Sequence, residues 1–270
     1  MSQENISIIK NYDSSKISWL KSGGPISQFL KIKNLDDLKK NKQIASNQNV
    51  ISIGNFSNLL IKDKGFDGIA IKLGGDIVTS NSAGGAVTIT ATGAGTISVS
   101  SDADIVTTGS AANSGDNAGG AGGNVTLDNA GTTLTLNDTL ISTAGGAGAG
   151  SGAVGNGGNI TISDPLTIAS GEVQLNTGTG STAGDITTNT INGSTSLNLT
   201  YGGGSLSTGI IGGGTALTGI TYTGTALTLS NDITTNNGAV DINAPVTLGA
   251  DITITSGGGD IDFSSTINGT

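Results

Sequence analysis

Residues 54–59 read Gly-Asn-Phe-Ser-Asn-Leu and follow the short apolar run "VISI". A glycine at the end of a strand lets the backbone bend and lets a ligand approach closely. Asn55, Ser57 and Asn58 add amides and a hydroxyl. Successive backbone N–H groups in such a turn form a concavity suited to an anion, a pyrophosphate in particular. Gly54, Asn55, Phe56, Ser57, Asn58 and Leu59 are therefore the candidate cofactor-binding residues. The same stretch also suits a plain polar hairpin loop. The chain has no histidine and no cysteine. It therefore lacks the usual neutral-pH base, imidazole and thiolate metal ligands, and any disulfide framework. No catalytic or metal-ligating residue is assigned.

The elements that would position the loop are legible around it. "ISWLKSGGPISQFLKIKN" reads as an apolar stretch, a turn at Gly23–Pro25, and an alternating strand through Phe29, Lys31 and Lys33. Asn34 is a good helix N-cap, and "LDDLKK" places acids before lysines as the helix dipole favours. That helix is expected to end by Ser46–Asn47. "VISIG" is a short buried strand, "LLIKD" and "IAIKL" are further strand pieces, and "KGFDG" is a turn. The pattern is a fragment of an α/β nucleotide-binding unit.

Spaced residues across this region carry a resemblance. Trp19, Gly23, Gly24 and Pro25 are followed by Gly54, Ser57, Asn58 and Leu60, then by Asp63, Gly65 and Gly68. Residues 17–73 thus resemble the N-terminal flavin-binding half of UDP-N-acetylenolpyruvoylglucosamine reductase (UDP-N-acetylmuramate dehydrogenase), a flavoenzyme family of peptidoglycan synthesis. The resemblance implies an FAD pyrophosphate site on the 54–59 loop. Phe56 stands where the family usually carries its second glycine. The family's reaction also uses NADPH, a serine, and arginine and glutamate residues beyond the matched segment. This chain has no arginine anywhere, and after residue 75 its only glutamate is Glu172. Residues 1–75 are read as a truncated α/β flavin-binding lobe, leaning away from an active enzyme.

Charge divides the chain at the same place. All eleven cationic residues are lysines, and all lie between Lys10 and Lys72. Set against six acids, they leave the first segment near +5; fourteen acids and no cation leave residues 76–270 at −14. So sharp a break argues for two units of different origin or task. The acidic segment is a poor partner for nucleic acid, because nothing in it neutralises phosphates.

From Asp76 onward one grammar recurs. "GGAVTITAT", "GGNVTLDN", "GGNITISD" and "GADITITSGGGDIDF" each place a glycine or Asn/Asp turn before alternating apolar residues. Val87/Ile89, Ile97/Val99, Val125/Leu127, Ile160/Ile162, Ile252/Ile254 and Ile261/Phe263 form such pairs. Alternation with β-branched residues means strands with one buried face. Irregular repetition of short strands predicts a mostly β chain: a right-handed parallel β-helix, or β-solenoid, over 76–270. The expected coil is about twenty residues, rising ~4.8 Å. The phrasing resembles the repeats of filamentous-haemagglutinin-like and autotransporter-type bacterial exoproteins. That resemblance implies a secreted or surface-displayed adhesive element whose ligand is unknown. Uncapped coils would offer end-to-end self-association.

Smaller signals each have a plainer reading beside the functional one. Gly119–Asn124 brushes against a calcium-binding nonapeptide but is not tandem. Asp260 and Asp262 are the best carboxylate pair for glycoside chemistry, or else a solvated edge. Tyr201 and Tyr222 are platforms for sugars, or else wall packing. The N-terminus has no apolar core of signal-peptide length, and no stretch is long enough to span a bilayer. Residues 1–75 read as cytoplasmic, and the repeat segment reads as secreted or displayed at the cell surface. The economical expectation is a composite reading frame joined near Leu73–Asp76.

Overall fold

The computed structural model describes residues 9–14, 24–32, 50–53, 64, 66–73, 77–79, 83–91, 97–101 and 103–269. These residues are nearly all β. The chain divides into two compact units, Met1–Asp76 and Ile77–Thr270.

The first unit holds a four-stranded sheet. Its strands are β1 (Ile9–Asp13), β2 (Pro25–Ile32), β3 (Val50–Ile53) and β4 (Phe66–Leu73), in the order β1-β2-β4-β3. β1 runs antiparallel to β2, whereas β2, β4 and β3 are mutually parallel. The strand at Ile9–Asp13 leaves no mark in the sequence pattern, because "IKNYD" is too polar to show alternation. Tyr12 is tied down by a stacked contact with Phe29, the ring centroids 4.1 Å apart. Ile26, Phe29 and Leu30 form the buried part of β2. Ile26 faces Phe66 but Gln28 faces Ile69, so Ser27 opposes both Asp67 and Gly68. This is a β-bulge, which needs one extra residue on the bulged strand. Ser27 donates to the Asp67 carboxylate at 3.1 Å across it. The turn expected at "KGFDG" is therefore shorter than those five residues: Phe66, Asp67 and Gly68 already belong to β4. The helix expected after Asn34 and the strand at "LLIKD" lie outside the described residues.

The second unit is built from short strands that pair in parallel with a strand one circuit further along. The longest sheet has eight strands, from Ile77–Val78 through Leu140–Ser142 and Ser196–Gly202 to Ile261–Phe263. A five-stranded sheet runs from Val87–Thr90 to Leu206–Ser207, and a four-stranded one from Ser98–Val99 to Ile191–Gly193. Single bridges at Ile211 carry the last of these on to Ile233. The chain visits the three sheets in rotation.

Register places like over like. Ile105, Ile141, Leu175, Leu199, Tyr222 and Ile242 follow one another up the longest sheet. Val125, Ile160 and Ile186 do so in the second, and Leu134, Leu166 and Ile191 in the third. All twelve are buried and belong to one hydrophobic cluster. Each aliphatic side chain thus covers the one below it, where it is removed from water on every side. The circuit is longer and less regular than twenty residues. It spans 36 residues from Ile105 to Ile141 and contracts to 20 from Tyr222 to Ile242. The strands stay short, at two to seven residues in the longest sheet, and the connecting loops absorb most of the difference.

Two side-chain devices hold these loops. Buried Thr107, Thr143 and Thr177 each follow a strand of the longest sheet, and their hydroxyls donate at 2.6 Å to the carbonyls of Gly123, Gly158 and Gly184. Gly123 and Gly158 return a backbone N–H to Thr107 and Thr143. This clamp closes the neck of loops of very different length. At the next corner, Asn124 accepts from the Asn159 N–H, Asn159 from Asp185, and Asp185 from Ser205. The motif "GGN" before a strand is thereby explained. The glycine stacks where a Cβ would come within 2.3 Å of the carbonyl below, as at Gly158 over Gly123, and the asparagine ties its level to the next.

Thr143→Val should keep the shape but leave the Gly158 carbonyl without its hydroxyl donor. A loss of ~1–3 kcal/mol is expected from urea unfolding of the full chain. Gly145→Ala should cost at least ~1–3 kcal/mol by the same measurement, because its Cβ would lie 1.8 Å from the Gly155 carbonyl oxygen.

Candidate functional site

The loop carrying Gly54, Asn55, Phe56, Ser57, Asn58 and Leu59 lies outside the described residues. What is described is the strand that delivers it. β3 ends at Ile53, at the carboxyl edge of the parallel set β2, β4 and β3. In α/β sheets ligands sit outside the carboxyl ends of parallel strands, where the loops leave the sheet. Of the other resemblance residues, Gly24, Pro25 and Gly68 are described. Ser14 donates to the Gly24 carbonyl at 2.7 Å, which fixes the entry into β2. Gly68 occupies the β4 bulge. Trp19, Gly23, Leu60, Asp63 and Gly65 lie outside the described residues.

In the second unit the structure relocates each sequence signal. Gly119, Gly122 and Gly123 answer to close packing: a Cβ on them would meet carbonyl oxygens at 1.9, 1.9 and 2.4 Å. The Asn124 side-chain oxygen of the same stretch is engaged by Asn159. No group of three or more acidic side chains suited to a metal ion occurs among the described residues. Asp260 precedes its strand and lends its backbone carbonyl to Val240, whereas Asp262 lies within the strand. The pair that register brings together is Asp262 with Asp241, directly opposite in a parallel ladder. Sequence inspection misses it because its members are 21 residues apart; only "VDI" and "IDF" at equivalent positions hint at it.

Asp164 is a further carboxylate that spacing alone does not single out. It is buried and accepts the backbone N–H groups of Asn129 and Gly131, the latter at 2.7 Å. These N–H groups belong to a tight turn in which Ala130 and Gly131 both have positive φ. Two backbone donors on one carboxylate form the arrangement that holds an anion. Here the anion is the protein's own side chain, and the arrangement is structural.

Tyr201 and Tyr222 are both buried, which removes them as exposed platforms for sugars. Tyr201 takes the place where the threonine row would continue, in a ladder irregularity between Thr200 and Gly202. Its ring lies against Gly224, where a Cβ would come within 2.3 Å of it. Burial pushes the Tyr201 phenol up to about 12, and burial together with neighbouring Tyr201 pushes Tyr222 higher still. Both hydroxyls stay protonated at any physiological pH. Neither has a hydrogen-bond partner among the described residues. Tyr222 lines a cavity of about 240 Å³ between Leu206 and Ile233.

Comparison with known proteins touches only part of the chain. It is 40% identical over 75 residues to the UDP-N-acetylenolpyruvoylglucosamine reductase of Anoxybacillus flavithermus (strain DSM 21510 / WK1), covering 27% of this chain and 25% of that protein. It is 44% identical over 68 residues to the protein of that name from Orientia tsutsugamushi (strain Boryong), covering 24% and 22%. With the strain Ikeda protein it shares 42% over 66 residues, again 24% and 22%. The chain thus spans about a quarter of the length of these curated relatives. No family model matches. No solved structure matches.

Asp262→Asn should stabilise the full chain by ~0.2–1 kcal/mol in urea unfolding at neutral pH and low salt, since like charges directly opposite in a ladder repel. The gain should shrink as salt is added.

Proposed function

We propose that the second unit is a right-handed parallel β-solenoid, a structural or adhesive element of a bacterial exoprotein. We further propose that the first unit is a catalytically incomplete FAD-binding half-domain joined to it. The observation that carries the solenoid reading is the register. Three sheets visited in rotation, each parallel and each stacking like residues, describe a chain that winds about one axis. Parallel crossovers are right-handed in ~98% of cases, which supports the right-handed reading. The repeat phrasing supports export to the cell surface or release. The surplus of acids supports a role away from nucleic acid.

The alternative is a fragment of UDP-N-acetylenolpyruvoylglucosamine reductase that retains only flavin binding. The similarity to proteins of that name favours it, as does the candidate loop at the carboxyl edge of parallel strands. The backbone N–H groups of residues 54–59 would hold the FAD pyrophosphate. The later residues that the family uses in catalysis have no counterpart in an arginine-free chain.

The absence of cysteine makes the solenoid directly testable. Asn124→Cys with Asn159→Cys, 35 residues apart, should oxidise to an intramolecular disulfide in the full chain, because stacked neighbours lie within disulfide reach. Failure to cross-link would overturn the winding. For the flavin reading, titration of the full chain with FAD should give saturable quenching of flavin fluorescence. Phe56→Gly should tighten binding about tenfold, or 1.4 kcal/mol, by letting the backbone approach the pyrophosphate. A chain that leaves FAD fluorescence unchanged in both forms would leave the solenoid as the whole function.

A further inference from the structure

The buried rows of the second unit run out at both ends. At one end the last strands are Ile254–Thr255, Ile261–Phe263 and Ile267–Gly269, each the terminal member of its sheet. Ile261 lies over Val240 and Ile267 over Val246, both buried, yet Ile261 is 43% exposed and Ile267 50%. Ile254 and Phe263 lie over buried Ile233 and Ile242 and are half-buried. At the other end Ile77–Val78, Val87–Thr90 and Ser98–Val99 are terminal in the same way. Ile77, beneath buried Ile105, is 40% exposed, and Val87, beneath buried Val125, is half-buried. All six side chains continue an inward row, so what they expose marks an uncovered level.

The two ends match in pairing and differ in charge. Ile77–Val78 and Ile261–Phe263 are the two ends of the longest sheet. Val87–Thr90 and Ile267–Gly269 each follow a strand of that sheet in the chain, and Ser98–Val99 and Ile254–Thr255 each precede one. The ladders at the far end are all parallel, so a second copy set head to tail continues them with strand direction unchanged. Isoleucine or valine then meets isoleucine, as inside the stack. A copy set tail to tail would bring exposed Asp260 and Asp262 against their own counterparts. Head to tail, exposed Asp251, Asp260 and Asp262 instead receive a copy whose eleven lysines all precede its first stacked strand.

We propose that the two ends form one interface, on which a second copy of this chain seats its Ile77–Val99 level over the Ile254–Gly269 level of the first. Unpaired strand edges are templates for a further strand, and three of them here lie at one level. The contact removes Ile261, Ile267 and Ile77 from water and completes the hydrogen bonding of the terminal strands. It is heterologous and does not close on itself, so each added copy presents a fresh end and the product is an open series. This interface rests on the solenoid reading, which the Asn124–Asn159 cross-link tests by itself, and it is independent of flavin binding.

Sedimentation velocity of the full chain should show species that grow with concentration past a dimer. Ile267→Lys and Ile77→Lys alter side chains that are already exposed, so each variant should keep the β circular dichroism of the parent chain. Each should weaken self-association at least about tenfold, because lysine cannot fill the apolar contact. An equimolar mixture of the two variants retains one intact head and one intact tail, and should form a dimer that grows no further. A full chain that stays monomeric at every concentration overturns the inference. So does assembly that survives both variants. A dimer lost in Ile267→Lys but kept in Ile77→Lys would be tail to tail and would overturn it as well.

Discussion

Close approach of backbone to backbone at the corners governs the second unit. Adjacent levels of a parallel stack lie ~4.8 Å apart, so a corner residue sits directly on the peptide group below it. At Gly123, Gly158, Gly184 and Gly204 a Cβ would meet the preceding level's carbonyl at 2.0 to 2.4 Å. Only glycine satisfies this, and the rest follows from it. The corner fixes the phase of the next strand, the phase puts Val125, Ile160 and Ile186 into one buried row, and the row supplies the cohesion. A strand slipped by one residue would turn that row toward solvent.

The same constraint explains how the unit tolerates uneven circuits. Threonine hydroxyls clamp the loop necks at Thr107, Thr143 and Thr177, so a loop can lengthen without disturbing the strands that flank it. The long loops then hydrogen-bond to one another. Gly109 donates to Ala144, Ala112 to Ala147, and Gly146 to Gly120. Their glycine and alanine content is a packing requirement, since larger side chains would force these backbones apart. Where the clamp row ends, Tyr201 replaces threonine and the ladder becomes irregular. The five-stranded sheet ends in the same circuit, at Leu206–Ser207, so the irregularity and the cavity lined by Leu206 belong to one local departure from the pattern.

The first unit rests on a different device. Three parallel strands need crossover connections, which a hairpin-built sheet does not need. The bulge at Asp67 and Gly68 and the Tyr12–Phe29 stack set how β2 sits between its neighbours. A mixed-charge sheet in the same chain as a cation-free stack reflects two surfaces shaped under different demands.

The sequence by itself determined the β character of the second unit, the buried identity of alternating aliphatic residues such as Val125/Leu127 and Ile160/Ile162 though not the exposure of Ile261, and the division of charge near residue 75. Period-two alternation is local, so Val125/Leu127 and Ile160/Ile162 could be placed on a buried face without knowing their neighbours. The strand positions at "VISI" and "IAIKL" were legible for the same reason. The tertiary structure decided what depends on pairing across a circuit. It alone set the circuit length, because loop residues carry no period. It alone put Asp241 opposite Asp262, gave the Asp164 carboxylate its backbone partners, and buried Tyr222 between Leu199 and Ile242. Each of these is a relation between residues 20 to 36 positions apart, and no local pattern encodes which residue will lie beneath which.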